Sequence, residues 1–322
     1  MEEESMNLNA VDKVEILTLQ DNYIDITAMD NSSVITRAAP IEGMEIKKSI
    51  LAEHGFSALV TVTEGEKRRS VLFDFGFSED GAARNAALLT ADLGSVEALA
   101  LSHGHSDHTG ALARFADMLP RDKGKIPFVA HPGVFGESRY LKLAEEFKIH
   151  FPKFSRDTVN NLGFDLVETA EPYPLLGGTC LFLGQIPRET AYEKGFPIAH
   201  HVVDGTESWD PIEDDTALAI NVRGKGLVVL TGCAHAGIVN TVRHAMSITG
   251  ISQLYAVMGG FHLSGPFFEP IIEQTTNDLK EMGPTYVIPT HCTGRKAIMH
   301  MEQVMPEQFI LNMSGTTLTF AA

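Results

Sequence analysis

The chain has 322 residues, with 42 acidic side chains against 25 Lys and Arg and a formal net charge of −17. Its 44% hydrophobic and 8% aromatic content is that of a globular protein with a sizeable core. The acidic balance argues against binding to nucleic acid or to an anionic membrane surface, because phosphate groups are held by clustered Lys and Arg. We therefore expect a small-molecule substrate, and an anionic one would need a local cation such as a metal ion.

The cysteines and the first residues bear on the compartment. Cys180, Cys233 and Cys292 are scattered and form no CxxC pair, which excludes a disulfide scaffold and suits a reducing cytoplasm. Residues 1–5 are acidic, whereas a secretory signal begins with basic and then apolar residues. No stretch approaches the roughly 18 apolar residues that a membrane helix needs. We expect a cytoplasmic protein that does not enter a membrane.

Hydrophobic patterns along the chain predict alternating strands and helices. Strands are predicted at 57–63, 70–75, 96–101, 217–222, 226–230, 254–258 and 286–289, and helices at 82–93, 111–119, 238–248 and 270–282. The order of strand, polar loop and helix occurs three times, which is typical of an α/β fold with sheets inside and helices outside. The pattern weakens over about 120–213, which we interpret as an insertion or cap on one domain that spans 1–322.

The strongest motif follows the predicted strand at 96–101. His103, His105, Asp107 and His108 lie within six residues of each other. Alternate residues of an extended segment point the same way, so His103 and His105 can share one ion, while Asp107 and His108 turn toward a second. Imidazole and carboxylate ligands suit Zn²⁺, Fe²⁺ or Mn²⁺. A solvated His-rich turn is the alternative, but this spacing favours a metal site.

The HxHxDH loop resembles that of the metallo-β-lactamase-fold superfamily. Further segments of the same resemblance occur in order: EHGFS at 53–57, LFDFG at 72–76, LSHGH at 101–105, TGCAHAGIVN at 231–240, GGFHL at 259–263 and PTHCTG at 289–294. Together they are similar to the branch named for the synthase of 7,8-dihydropterin-6-ylmethyl-4-(β-D-ribofuranosyl)aminobenzene 5′-phosphate. The resemblance implies an αββα sandwich with two metal ions at the edge between two sheets.

The resemblance also implies a ligand set. His103 and His105 match the pair at the first metal, Asp107 and His108 the pair at the second, and His291 the last histidine of the superfamily. After the strand at 226–230 the superfamily usually places a bridging aspartate. This chain departs from that pattern, so we expect a nearby histidine, His235, to substitute as a ligand.

Cys233 stands at the position of the missing aspartate. It is either a thiolate ligand or a small buried hydrophobic residue, and we favour the buried role. The third histidine of the first metal has no evident counterpart. Asp214 and Asp215 stand near its position, and His200 and His201 lie somewhat earlier.

Other residues are candidates for catalysis and substrate binding. His262 follows two glycines and is a candidate proton donor or substrate contact, with a core histidine as the alternative. Asp107 is assigned to catalysis as well as to the metal. Arg188 lies in a GQIPR segment that resembles the branch's GxIPR element, and it can bind a substrate phosphate or carboxylate. Asp74 either orients a ligand histidine or ends a strand in a turn.

These residues predict a metal-dependent enzyme with up to two divalent ions, Zn²⁺ first and Fe²⁺ or Mn²⁺ open. In the synthase the ions would neutralise a diphosphate that leaves a pterin methyl carbon, while an arylamine attacks that carbon. A hydrolase would instead use metal-activated water on an ester, lactone or phosphoester. A third alternative is a non-catalytic ligand sensor, although the four intact motif residues argue against it.

Overall fold

The structure is a computed structural model that describes residues 6–39, 41–47, 49–120 and 124–322. Its helices are α1 (Gly81–Leu88), α2 (Leu112–Met118), α3 (Arg156–Asn161), α4 (Ile238–Thr249), α5 (Ile272–Glu281) and α6 (Arg295–Val304). Its strands are β1 (Lys13–Gln20), β2 (Ile35–Thr36), β3 (Ile41–Glu42), β4 (Glu45–Ile46), β5 (Ser57–Glu64), β6 (Lys67–Phe73), β7 (Val96–Ala100), β8 (Pro127–Ala130), β9 (Ser138–Ala144), β10 (Phe147–His150), β11 (Asp165–Glu168), β12 (Tyr173–Leu175), β13 (Cys180–Phe182), β14 (Ala199–Val203), β15 (Thr206–Trp209), β16 (Ala217–Val222), β17 (Gly226–Thr231), β18 (Leu254–Gly260), β19 (Tyr286–Thr290) and β20 (Thr317–Ala321).

The first large sheet has the strand order β11-β8-β7-β6-β5-β1-β20-β2. Strands β6, β7, β8 and β11 run parallel, whereas β5, β1, β20 and β2 pair antiparallel. Apolar residues alternate along β1: Val14 and Ile16 point to one face, and Leu19 packs on the other. Both faces of this sheet are therefore covered.

The second large sheet has the order β12-β13-β16-β17-β18-β19, and its last three strands are parallel. Its inner face contributes Ile220, Leu230 and Met258 to a core shared with Val60 and Phe73 of the first sheet. The two sheets thus pack face to face, as two surfaces that each carry an apolar face must do.

The helices cover the outer faces of the two sheets. Phe115 of α2 and Val159 of α3 pack on the first sheet, while Val239 of α4, Leu279 of α5 and Met301 of α6 pack on the second. The result is a four-layer αββα sandwich, which confirms the fold expected from the sequence. Within the described ranges, no helix has both the length and the apolar content to cross a membrane.

The stretch at 120–213 is divided between the layers. Strands β8 and β11 extend the first sheet, and β12 and β13 extend the second. Only β9, β10, β14 and β15 form a separate sheet, in the order β10-β9-β14-β15, which we call the cap sheet. The cap therefore comprises two short segments rather than the whole stretch, because the remaining strands find hydrogen-bond partners in the main sheets.

Candidate metal centre

The metal-capable side chains collect at one edge of the sandwich. They follow β6 and β7 in the first sheet and β17, β18 and β19 in the second, and these strands run parallel within each sheet. The carboxyl ends of parallel strands lie at the same sheet edge, so five loops from distant parts of the chain meet there.

Glycines allow the two sheet edges to approach closely. A Cβ atom on Gly232 would lie 2.1 Å from Ser102 Oγ and 2.7 Å from Asp74 Oδ2. A Cβ atom on Gly260 would lie 2.6 Å from Cys292 Sγ. Only residues without a side chain fit at these contacts, which hold the loops of the two sheets together.

Four non-glycine residues at this edge have left-handed backbone conformations. Asp74, Ala234, His262 and His291 have φ values of 56°, 47°, 45° and 45°. Such conformations are sparsely populated and cost on the order of 1–3 kcal/mol each. Strain of this kind is concentrated at functional sites, where the surrounding packing holds it in place.

We call His103, His105 and His235, three candidate metal ligands that lie together, the first ligand group. His103 Nε2 lies 3.0 Å from His105 Nδ1 and 3.2 Å from His235 Nε2. Burial, followed by the neighbouring histidines, lowers the pKa of His103 and of His235 well below the usual value, and burial lowers that of His105 to about 3. The three rings are therefore neutral, and each carries one N–H. His103 Nε2 thus faces both His105 Nδ1 and His235 Nε2. One proton on His103 Nε2 can form a hydrogen bond with only one of these nitrogens, whereas a cation can accept a lone pair from each of the three rings.

We call Asp107, His108 and His291, also candidate metal ligands, the second ligand group. Asp107 Oδ2 lies 3.2 Å from His291 Nε2 and 3.7 Å from His108 Nε2. Burial would raise the pKa of Asp107, but His108 and His291 outweigh it and hold that pKa well below the usual range. The group therefore presents one carboxylate and two imidazoles, a ligand set that suits Zn²⁺, Fe²⁺ or Mn²⁺.

Cys233 connects the two ligand groups. Its sulfur lies 3.2 Å from His108 Nε2. It is within 4.8 Å of the ligand atoms of Asp107, His108 and His291 and also of those of His103 and His235. The side chain is buried, as the sequence indicated, but it is buried among ligands rather than in the apolar core.

Asp74 orients the motif from behind. Its Oδ2 accepts hydrogen bonds from His108 Nδ1 at 2.6 Å and from Ser102 Oγ at 2.7 Å. Ser102 Oγ in turn lies 3.0 Å from His103 Nδ1. These contacts leave Nε2 of both histidines for the centre, and a carboxylate in this position makes an imidazole a stronger ligand. This is the role that the sequence left open for Asp74.

Asp21 and Asn22 hold His291 in the same way, and sequence reasoning missed both. The His291 backbone N–H donates to Asp21 Oδ1 at 2.9 Å, and His291 Nδ1 lies 3.1 Å from Asn22 Oδ1. The two residues directly follow β1 at the sheet edge that carries the site. A polar pair at a strand end was the only sequence signal, and it is a common one.

His54, which was given no role from the sequence, also lies at the centre. Its Nε2 is 3.3 Å from Asp107 Oδ2, and its ring centroid is 4.8 Å from that of His291. The side chain is 62% exposed, so it stands at the mouth of the site rather than in its interior.

His262 and Arg188 occupy different sides of the centre. The His262 ring lies 4.2 Å from that of His235 between centroids, and its Nδ1 is buried without a hydrogen-bond partner among the described residues. Arg188 donates to the backbone oxygens of Pro211 and, at 3.3 Å, His235. Arg188 therefore braces the His235 loop from behind, and its predicted contact with substrate stays a prediction.

The alternatives for the third ligand of the first metal lie elsewhere. Asp214 forms a buried ion pair with Arg139 and accepts the Gly104 N–H at 2.8 Å, so it orients the motif loop. Asp215 accepts the Ala236 N–H at 2.9 Å, and burial raises its pKa to about 7. The two histidines at 200 and 201 belong to β14 of the cap sheet. His235 is the residue that the structure places beside His103.

A cavity of about 410 Å³ opens above the two ligand groups. Leu141 and Phe151, with Phe196 from the loop before β14, form its apolar wall. Phe151 stacks on His105 with the ring centroids 4.4 Å apart and an interplanar angle of 16°. The volume and the mixture of apolar walls with a polar floor are those of a small-molecule site.

The αββα sandwich and the histidine-rich centre at its edge are typical of metallo-β-lactamase-fold proteins, and comparison with known proteins agrees. Residues 53–178 match the metallo-beta-lactamase superfamily. The crystal structure of Tm1679, a metal-dependent hydrolase of the beta-lactamase superfamily, has the same fold, with a TM-score of 0.69 and 23% identity over 96% of this chain and 100% of that one.

Two relatives come from Methanocaldococcus jannaschii. One is 7,8-dihydropterin-6-methyl-4-(β-D-ribofuranosyl)-aminobenzene-5′-phosphate synthase, 31% identical over 320 residues that cover 98% of this chain and 99% of the relative. The other is an uncharacterized protein, 30% identical over 80% of this chain and 90% of the relative. The chain belongs to the metallo-β-lactamase superfamily.

Proposed function

We propose that this protein is a metal-dependent enzyme that joins a pterin methyl carbon to an arylamine with loss of diphosphate. The observation that carries the proposal is the pair of ligand groups that meet at Cys233 on the floor of the 410 Å³ cavity. The name of the relative that is similar over 98% of the chain supports this choice of substrates.

The ligand groups determine where the metal acts. Up to two divalent ions, with Zn²⁺ as the first candidate, would supply positive charge and Lewis acidity to the diphosphate oxygens. The first ligand group is uncharged and the second carries one carboxylate, so the loaded centre keeps a net positive charge. This local cation accounts for the binding of an anionic substrate by a chain with a formal charge of −17.

The cavity walls determine which nucleophile reaches the carbon. Phe151 and Phe196 provide flat apolar surfaces for the pterin and aniline rings and keep water from the reacting carbon. The amine nitrogen attacks the methylene carbon, the C–O bond electrons leave with the diphosphate, and the nitrogen releases a proton. We assign to His262, which lines the cavity and whose Nδ1 has no hydrogen-bond partner among the described residues, the donation of a hydrogen bond to the departing oxygen.

The test uses purified protein with and without a chelator, supplied with the dihydropterin methyl diphosphate and 4-(β-D-ribofuranosyl)aminobenzene 5′-phosphate. We expect the coupled product and diphosphate in equal amounts, and neither after removal of the metal. Diphosphate release that does not require the arylamine would instead indicate a hydrolase. Binding of both substrates without any turnover would indicate a sensor.

Two matched variants test whether the activity depends on the candidate metal centre. His108→Ala removes a ligand of the second group and should abolish turnover. His150→Ala changes an exposed histidine of the cap sheet and should leave turnover unchanged. Equal activity in the two variants would refute the assignment of the reaction to this site.

A further inference from the structure

We propose that the Cys233 thiolate is the ligand shared by the two metal ions, in the place of the bridging carboxylate that is usual in the superfamily. This inference rests on the metal-dependent function proposed above. It assigns a soft sulfur ligand to a position where the sequence alone favoured a buried hydrophobic residue.

The first argument is position. Cys233 belongs to each of the metal-capable side-chain groups found among the described residues, and no other residue does. His108 Nε2 of the second ligand group lies 3.2 Å from its sulfur, and His103 and His235 of the first ligand group lie within 4.8 Å. A ligand that serves two ions must reach both groups, and Cys233 does so with one atom.

The second argument is that the backbone holds the sulfur there. Cys233 follows Gly232, where a side chain would collide with Ser102 and Asp74. It precedes Ala234, which has a φ of 47°. The Ala234 N–H donates to Thr231 Oγ1 at 3.2 Å and closes the turn at the end of β17. The turn is strained and tightly packed, so the side chain has a fixed direction.

The third argument is that Asp74, Asp214 and Asp215, the neighbouring carboxylates, belong to none of the metal-capable groups. Asp74 accepts hydrogen bonds from His108 and Ser102, and Asp214 is paired with Arg139. Asp215 accepts the Ala236 N–H with Oδ2, its Oδ1 is buried without a hydrogen-bond partner among the described residues, and it belongs to none of the metal-capable groups. Among the described residues this leaves Cys233 as the anionic ligand available between the two groups, since Asp107 already belongs to the second.

Cys292, which lines the same cavity, contacts the shared sulfur. Its thiol lies 3.2 Å from Cys233 Sγ and is placed to donate a weak hydrogen bond to it. Such outer contacts orient and stabilise a metal-bound thiolate. A thiolate at the shared position favours Zn²⁺, Co²⁺ or Fe²⁺ over the harder Mn²⁺ and Mg²⁺.

The experiment is a titration of the metal-free full-length protein with Co²⁺, followed by near-ultraviolet absorption and by bound metal per chain. A thiolate ligand gives a charge-transfer band that imidazole and carboxylate ligands lack. We expect the band in the wild-type protein and a further change in it as the second equivalent binds. The variants are Cys233→Ser, Cys233→Asp, Cys292→Ser and, as the matched control, the remote buried Cys180→Ser.

We expect Cys233→Asp to keep two equivalents and lose the band, and Cys233→Ser to lose the band and weaken the second equivalent. Cys292→Ser and Cys180→Ser should keep the band. A band that persists in both Cys233 variants, or that disappears only in Cys292→Ser, overturns the proposal. Two bound equivalents without a band in the wild-type protein refute the thiolate but leave the metal-dependent function intact, whereas no bound metal refutes both. Thermal unfolding of each variant confirms that it is folded.

Discussion

The contact between Asp74 and His108 allows the most direct test of how the fold prepares the centre. Asp74→Asn keeps the shape of the side chain and removes its charge. Burial lowers the pKa of His108, but the Asp74 and Asp107 carboxylates outweigh burial and raise it to about 9. A carboxylate that raises the pKa of an imidazole also makes that imidazole a stronger metal ligand. Asp74→Asn should therefore weaken the binding of His108 to the metal.

The expected loss is about 10- to 100-fold in metal affinity at the second ligand group, as is typical when an outer carboxylate is removed. That corresponds to about 1.4–2.8 kcal/mol. Asp74→Ala also leaves the Ser102 donors and His108 Nδ1 without their acceptor. It should therefore lower the free energy of unfolding by roughly 3–5 kcal/mol, the usual cost of breaking a buried pair.

Competition with a chromophoric chelator measures the affinity, and denaturant titration measures the stability. Asp80→Asn is the control, because Asp80 makes an exposed ion pair with Arg114 at 2.7 Å, and such pairs contribute little. If Asp74→Asn binds the second equivalent as tightly as the wild-type protein, the carboxylate does not tune His108 and the reasoning is wrong.

Three further predictions concern the other parts of the site. Asn22→Ala should weaken metal binding at the second ligand group. Asn22→Asp should weaken it less, because the aspartate keeps an acceptor for His291 Nδ1. Chelator competition measures both affinities, and equal losses would contradict the prediction. His105 has a folded pKa of about 3 against 6.5 for the free group, so the metal-free protein should have its full stability above pH 6.5 and lose it as pH falls toward 3. Denaturant titration should show a flatter pH dependence for His105→Asn, and an unchanged slope would count against a buried neutral ring. Phe196→Ala should raise KM for the pterin substrate about two- to twelvefold, from a stacking contribution of about 0.5–1.5 kcal/mol. Phe147→Ala on the exposed cap should leave KM unchanged, and steady-state kinetics measures both.

Local spacing was sufficient to predict much of the fold and the motif loop. His103, His105, Asp107 and His108 lie within six residues, so a strand and the turn after it are enough to bring them together. The buried strands of the two sheets were similarly evident from their apolar runs. The helix predicted at 82–93 ends at Leu88 in the structure, because Thr90 has a φ of 51° that no helix continues through.

The rest of the centre depends on contacts between distant segments, which spacing does not encode. Asn22 contacts His291 across 269 positions, and that contact exists because β1 and β19 end at the same edge of the sandwich. Cys233 follows an apolar strand, as a core cysteine would. Only the approach of β17 to the loop after β7 shows that its sulfur lies beside His108. The division of 120–213 also depended on non-local strand pairing.

The cap sheet has a consequence for how the substrate specificity of such a protein can evolve. Its strands come from two short chain segments, 138–150 and 199–209, and the loops near them supply Phe151 and Phe196, whereas every side chain of the two ligand groups is anchored on the main sheets. Replacing those segments, together with the flanking loops that carry Phe151 and Phe196, with the corresponding ones of a relative would exchange the surface proposed to select the substrate and leave the candidate metal ligands in place. The architecture thus separates the evolution of specificity from that of chemistry, and a set of such chimeras would share one metal site while differing in what reaches it.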